Sequence, residues 1–333
     1  MKKRVRSRLF EYIITLIIII TLNFLLPRLM PGDPFLYLSS EQGQDVMYSE
    51  EQRQHYLDYY GLNKAIFEQY LSYLGKLIQG NLGYSLYYNE PVINIIWRRL
   101  IWTFFLVIAA VCISTLSGMV LGSISAWYKD IWVDKWLFFN LIFLSEIPSF
   151  LLGLILLFVF AADLNLFPLS GAMSHFVDYN NPWERFLDII YHAVLPLTAL
   201  SIARLGGSYL LARNSVLSVL GKDFIRTARA KGLSKIRIIS NYVLRNALLP
   251  VLTRVFLSLG SLVGGAILVE NVFKYPGLGH LMREAVMVRD YPLIQGIFLL
   301  VAIFVLTANY LADFLYQVID PRLVLEEKKQ EQK

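Results

Sequence analysis

The chain has 333 residues, is 56% hydrophobic and carries a net charge of +6. A soluble domain of that length rarely holds so much apolar content, and the apolar residues here come in long unbroken blocks, which is the pattern of a chain facing lipid. The positive charge does not point to nucleic acid, because the basic residues gather in segments on one side of the membrane, as the positive-inside bias requires.

The start, Met1-Lys2-Lys3-Arg4-Val5-Arg6-Ser7-Arg8, precedes an apolar run and has the look of a secretory leader. The run from Leu9 to Leu26 is long enough to cross a bilayer, and no Ala-x-Ala cleavage site follows it. An uncleaved first span is therefore expected at about Leu9–Leu29. Further spans are expected at about Trp102–Trp127, Trp136–Ala162, Ile189–Leu211, Leu248–Val269 and Pro292–Ile319. The second carries no charge and the third holds Glu146. His192, Pro196 and Arg204 interrupt the fourth, Arg254 lies in the fifth, and Asp313 lies near the end of the sixth, where a pair between those two charges is conceivable. The expected fold class is all-α: a polytopic membrane protein of six transmembrane helices with an external segment between the first and second.

Loop charge then sets the orientation. The basic N-terminal tail stays in the cytoplasm. The segment before span two is acidic, with Asp33, Glu41, Asp45, Glu50, Glu51, Asp58, Glu68 and Glu90 against Arg53, Lys64 and Lys76, and belongs outside. Arg98 and Arg99 break that pattern and are expected to snorkel at the outer interface. Leu57, Tyr60, Leu62, Phe67, Tyr70, Leu71 and Leu74 have the spacing of a helix packed on a membrane surface, so a small external lobe is expected, with its tip at Gly43–Ser49.

The stretch between spans four and five holds Arg213, Lys222, Arg226, Arg229, Lys231, Lys235, Arg237 and Arg245 against Asp223 alone, so it is cytoplasmic. Six spans return the polar C-terminal tail to the same side. Asp223 is expected to cap a helix over Phe224–Lys231, and Gly232 to end it in a left-handed cap. Ser234 is expected to cap a second helix running towards Pro250. Ala228 and Ala230 beside Arg229 and Lys231 allow two readings: a small-residue face entering a cleft on another protein, or a basic helix lying on anionic lipid.

A resemblance decides between them. Thr227-Ala228-Arg229-Ala230-Lys231-Gly232-Leu233, followed by Leu244-Arg245-Asn246-Ala247-Leu248-Leu249-Pro250, resembles the EAA loop of ABC importer permeases, in the form found in the dipeptide, oligopeptide and nickel permease family. Thr227 stands where that motif has its naming glutamate. Arg28-Leu29-Met30-Pro31-Gly32-Asp33-Pro34, Gly80-Asn81-Leu82-Gly83-Tyr84-Ser85, Ser145-Glu146-Ile147-Pro148-Ser149-Phe150, Val269-Glu270-Asn271-Val272-Phe273, Pro276-Gly277-Leu278-Gly279, Arg289-Asp290-Tyr291-Pro292 and Asp320-Pro321-Arg322 match the same family in order.

The resemblance implies a type I ABC importer fold. Its parts would be residues 1–29 (N-terminus and first span), 30–98 (extracytoplasmic segment), 99–319 (core, with the coupling loop at 213–246) and 320–333 (cytoplasmic tail). It implies partners: a second homologous permease subunit, two ABC ATPase subunits and an extracytoplasmic substrate-binding lipoprotein, in a bacterial cell membrane. It implies that residues 227–233 meet an ATPase and that Pro276, Gly277, Leu278 and Gly279 lie at the outer gate. Glu146 and Pro148 are candidates for the translocation path. An intramembrane carboxylate faces a cavity or a partner, so Glu146 could touch a peptide amine or be a protonated acid hydrogen-bonded to a neighbouring helix. Pro148, like Pro196 and Pro250, can bend its span as a hinge or a static kink. Gly221-Lys222 is followed by Asp223 and lacks a phosphate loop's preceding glycine, so ATP hydrolysis is expected on partner chains. No His-Glu-x-x-His or Gly-x-Ser-x-Gly occurs, so no enzyme is expected, nor a cofactor or metal site. Peptides are the expected cargo, with nickel, metal chelates or oligosaccharides as alternatives. A carrier or channel driven by an ion gradient is a more distant reading.

Overall fold

The structure, a computed structural model, describes residues 2–29, 51, 54, 63–174, 176–234 and 237–319; side chains at 2–9, 240, 249–250, 252–254, 256–263 and 312–319 are outside that description. The expected lobe tip at Gly43–Ser49, the apolar positions Leu57, Tyr60 and Leu62, the tail at 320–333 and the Arg254–Asp313 pair all fall outside the described residues.

Among the described residues the regular structure is helical. In chain order the helices are α1 (Lys2–Arg28), α2 (Ile66–Ile78), α3 (Val92–Trp127), α4 (Trp132–Ser145), α5 (Ser149–Leu156, continued by a π-helical turn, Leu157–Asp163), α6 (Pro182–Leu220), α7 (Asp223–Ala230), α8 (Arg245–Val272, entered through a π-helical turn, Ile238–Leu244), α9 (Leu278–Met287) and α10 (Tyr291–Ile319). Phe10–Arg28, α3, α6 and Tyr291–Leu311 are each long and apolar enough to cross a membrane. The expected fifth span lies inside α8.

The expected third span is broken. α4 and α5 meet at 94°, the geometry of a broken span or of a re-entrant loop. Proline causes the break: Pro148 has no N–H, and the residue before a proline is pushed out of the helical region. Pro148 itself is extended (φ −54°, ψ 138°) and helix resumes at Ser149. Glu146 and Pro148 therefore sit at an elbow: the bend expected of Pro148 is present, as a full break of the helix.

The chain divides into two compact units, Met1–Trp102 with Pro276–Leu306 and Thr103–Tyr275 with Thr307–Lys333. In the first, α2 packs on the C-terminal end of α1. Tyr70 and Thr21 share a hydrogen bond of 2.8 Å, Arg28 Nε donates to Gln69 Oε1 at 2.9 Å, and the rings of Tyr70 and Tyr73 lie 5.1 and 5.6 Å from that of Phe24. Leu74 is half-buried with these tyrosines, whereas Phe67 and Leu71, expected on the same packed face, are exposed. Arg98 pairs with Glu90, and Arg99 lies 4.0 Å from Glu284, so both arginines at the start of α3 have carboxylate partners.

In the second unit α6 is the central element, in contact with α4, α5 and α8. Its start is well specified. Asn181 accepts from the Glu184 amide at 2.9 Å, the Glu184 carboxylate returns to the Asn180 amide at 3.0 Å, and Pro182 occupies the first helical position. Asp188, one turn further, holds the preceding loop through Ser174 N, Ser174 Oγ and Tyr179 Oη at 2.7–2.9 Å.

α3 and α6 come close enough to exclude side chains. A Cβ on Gly118 would stand 2.6 Å from Ser208 Cβ, and one on Gly122 would stand 2.8 Å from Ala212 Cβ and from two backbone atoms. The contact is Gly-x-x-x-Gly against Ser-x-x-x-Ala, the small-residue pairing that lets membrane helices meet without a hydrophobic driving force.

Candidate functional site

The basic segment folds largely as its residues dictate, with two corrections. α6 continues through Arg213 to Leu220, so Arg213 belongs to a helix and the connection to the next π-helical turn starts only at residue 221. Asp223 does not cap α7. Lys222 is the N-cap residue, without a side-chain bond, and Asp223 occupies the first turn, where its charge complements the helix dipole. Asp223 lies 3.7 Å from Arg226, a pair too exposed to stabilise much.

The far end of α7 is as expected. Gly232 has φ +71°, its N–H bonds Arg229 O at 2.9 Å, and the Leu233 N–H reaches back to Ala228 O at 3.4 Å. This is the paired closure in which glycine avoids the strain a Cβ would bring. Ser234 Oγ accepts from the Arg237 amide at 3.4 Å, as a cap for the next helical segment.

The small-residue face turns out differently. Ala228 is 3% exposed and Ile225 1%, and both are sealed in an apolar cluster with Ala126 of α3, Val216 and Val219 of α6, and Ile238, Val243 and Ala247. Ala228 therefore anchors α7 to its own chain. The outward face carries Phe224 (43% exposed), Thr227, Ala230 and Lys231. Arg229 leans over the Trp127 ring at 5.8 Å, and Leu233 packs half-buried on the cluster.

Next to that cluster is a polar knot that the sequence did not disclose. Arg213 of α6 donates from Nε to Asp134 Oδ1 at 2.8 Å and from Nη2 to Oδ2 at 2.7 Å, a bidentate fork. Asp134, at the start of α4, also accepts from the Ser125 hydroxyl of α3 and from the Asp130 amide at 3.0 Å. Ser125 in turn bonds the Tyr209 hydroxyl at 2.6 Å and accepts from Arg213 Nε at 3.1 Å. Asp134, Ser125 and Tyr209 are buried. Three elements are thus tied at one level, beside the residues that hold α7.

At the other end of α4, Glu146 and Pro148 are exposed at the elbow. α4 rises about 1.5 Å per residue, so Glu146 lies about 18 Å along the helix from Asp134. The arms of the elbow are packed. Gly206 of α6 faces Ser145 and Leu141 O, and Gly153 of α5 faces the Phe273 ring.

Pro276-Gly277-Leu278-Gly279 does not form a simple loop. Gly277 is the N-cap of α9, Leu278 is buried, and the Leu281 amide bonds Gly277 O at 3.1 Å. α9 presents Glu284, which accepts from the Tyr88 hydroxyl at 2.9 Å and lies 3.4 Å from His280 Nε2. The bond from His280 holds the Glu284 carboxyl below the usual range, and burial pushes the Tyr88 phenol up to about 12. Asp290, between α9 and α10, is buried and accepts from Ser85 Oγ, the Tyr87 amide and the Leu293 amide.

Comparison with known proteins places this geometry. Residues 118–325 match the family described as binding-protein-dependent transport system inner membrane component. The chain is 35% identical over 303 residues to the oligopeptide transport system permease protein AppB of Bacillus subtilis (strain 168), covering 91% of this chain and 93% of the relative. It is 36% identical over 332 residues to the dipeptide transport system permease protein DppB of Escherichia coli (strain K12), covering 95% and 97%. It is 34% identical over 317 residues to the glutathione transport system permease protein GsiC of Escherichia coli O6:H1, again covering 95% and 97%.

Proposed function

Because this chain belongs to the family of binding-protein-dependent transport system inner membrane components, we propose that it is one of two permease subunits of an ATP-driven importer and that its cargo is peptides. The relatives are named for oligopeptide, dipeptide and glutathione transport, which supports a peptide cargo. A second permease subunit completes the path, two ATPase subunits supply the work, and an extracytoplasmic binding protein delivers cargo to the side that carries residues 30–98 and α9. Both termini lie in the cytoplasm, as the charge of the N-terminal tail supports.

One observation carries the mechanism: α7 is a short helix fastened by its inner face and bare on its outer face. Ile225 and Ala228 are buried in the chain's own cluster, whereas Phe224, Thr227, Ala230 and Lys231 are presented outward. Residues 227–233 form the ATPase-coupling segment, and the Phe224–Thr227–Lys231 face, at helical spacing, enters the ATPase surface. When the two ATPases close on nucleotide, each carries its α7, and the two permease subunits rock between inward-open and outward-open states.

The path runs past the elbow. A carboxylate about midway through a bilayer is too costly to face acyl chains, so Glu146 faces a polar cavity or a partner subunit. We assign it to the path wall, with Pro148 keeping the helix broken there. Pro276, Gly277, Leu278 and Gly279 start α9 at the outer gate.

The experiment is recruitment. Phe224→Glu alters an exposed residue, so the chain should still insert and fold. It is expected to lose co-purification of the ATPase subunits by about tenfold or more, as for a central anchor of an interface. Undiminished co-purification would refute the assignment of α7.

A further inference from the structure

We propose that Asp134 and Arg213 are positioning residues that convert movement of α7 into movement of the elbow. This rests on the reading that α7 docks on an ATPase.

The geometry is a lever with its base locked. The apolar cluster holds α7 to Ala126 of α3 and to Val216 and Val219 of α6. The polar knot lies at the same level: Ser125 is the neighbour of Ala126, and Arg213 is one turn before Val216. Through it α3 and α6 grip Asp134, in the first turn of α4. α4 then runs unbroken to Ser145 and ends at the elbow. A push on α7 enters α3 and α6 through the cluster and α4 through the ion pair. Val133 and Leu137 near the base of α4 also pack with Leu121 of α3 and with Leu205, Tyr209 and Leu210 of α6, an apolar contact that fixes no orientation of its own, and the turn around Tyr128–Ile131 joins α4 to α3. That turn is exposed at Lys129 and Asp130, and Asp130 has φ +67°.

The choice of an ion pair fits this role better than a stabilising one. A buried pair adds little stability over apolar side chains of the same volume, because desolvation of both charges offsets their attraction. What the guanidinium fork supplies is direction: two parallel bonds fix both the distance and the orientation of Asp134. Ser125 and Tyr209 complete the acceptor and donor positions on that plane. The fork resists rotation of α4 about its base, which a single point contact would allow.

The test uses the assembled complex of both permease subunits and both ATPases in lipid vesicles. A fluorophore at Phe143→Cys, an exposed α4 residue just below the elbow, in a Cys112→Ala background, reports the elbow's response to nucleotide trapped with vanadate. In the parent the emission shifts on trapping. In Arg213→Lys, which keeps the charge and loses the fork, the shift per mole of trapped nucleotide is expected to fall by about fivefold or more. In Tyr209→Phe, which removes one hydroxyl, it is expected to fall by about twofold. A pair that merely stabilises the fold would lower the melting temperature and leave this ratio unchanged in surviving complexes. The parent ratio in both variants overturns the proposal. If Arg213→Lys gives no complex, Tyr209→Phe decides alone, and an unchanged ratio there overturns it. A parent chain that recruits no ATPase, read by co-purification in the same preparation, overturns the docking reading and this one with it.

Discussion

Gly122→Ala is a severe change for the addition of one methyl group. The new Cβ would stand 2.8 Å from Ala212 Cβ, from Arg213 N and from Tyr209 O. Non-bonded carbons settle about 3.5–4.0 Å apart, so α3 and α6 must part by about 1 Å at this level. Two of the three obstructing atoms belong to the backbone and cannot swing aside. Overpacking of this kind costs about 1–3 kcal/mol, and a contact with no flexible neighbour belongs near the upper end. Alanine recovers about 1 kcal/mol through its better helix propensity, which leaves a net loss of about 2 kcal/mol. Gly207→Ala is the internal control. It lies in α6 with nothing within 4 Å of its Cβ, so only the propensity gain applies. The two variants are compared by heating the detergent-purified chain and measuring the fraction that stays monodisperse. Gly122→Ala should melt below the parent and Gly207→Ala at or above it. Equal melting of the two would refute the close-packed α3–α6 contact.

Three other outcomes are expected. Gly232→Val places a β-branched residue at φ +71°, a strain of about 1–2 kcal/mol or more; the chain should insert while ATP hydrolysis stimulated by the binding protein falls sharply, and normal stimulation would exclude a role for the cap. Burial raises the Asp290 carboxyl above its ordinary 3.8, so the folded chain holds that proton more tightly than the unfolded chain. Its contribution to stability thus grows as pH falls from the folded value towards 3.8 and diminishes as pH rises. Asp290→Asn, which mimics the protonated form and still caps α10, should be near neutral and flatten that pH dependence, whereas Asp290→Ala should cost about 2 kcal/mol or more; equal melting curves for the two would contradict the buried bonding. Finally, cysteines at Asn180 and Ser234 in a Cys112→Ala background should react with an impermeant reagent from opposite faces of the membrane, and labelling of both from outside intact cells would break the assigned topology.

The spans were legible because an uncharged apolar block has few alternatives to a membrane helix. The cap of α7 was legible for a similar local reason, since Gly232 follows a short run ending in cations. What escaped depended on partners distant in sequence. Asp134 reads as one more charge beside a tryptophan-rich turn, and nothing near it announces Arg213 in another helix. Ala228 reads as a small surface residue because its covering, Val216 and Val243, comes from other segments. Phe67 and Leu71 fit a helical stripe equally well on a packed face or a bare one. The break at Pro148 was open to inference from proline's missing donor. Prolines within other helices, Pro27 and Pro196, show why that donor alone does not decide it.

The elbow also bears on how the chain is made. α4 has 14 residues and rises about 21 Å, short of a hydrocarbon core of about 30 Å. Neither arm is a competent membrane segment when it first leaves the ribosome. The Asp134 carboxylate and the close packing of Ser145 both wait for α6, whose Arg213 and Gly206 receive them. The final packing of this region is therefore completed only once α6 is present. A nascent chain arrested before Arg213 holds Asp134 only through Ser125 and the Asp130 amide, without its guanidinium partner. Such an intermediate is a natural target for membrane proteases, and the abundance of this subunit becomes sensitive to how quickly residues 164–213 are translated.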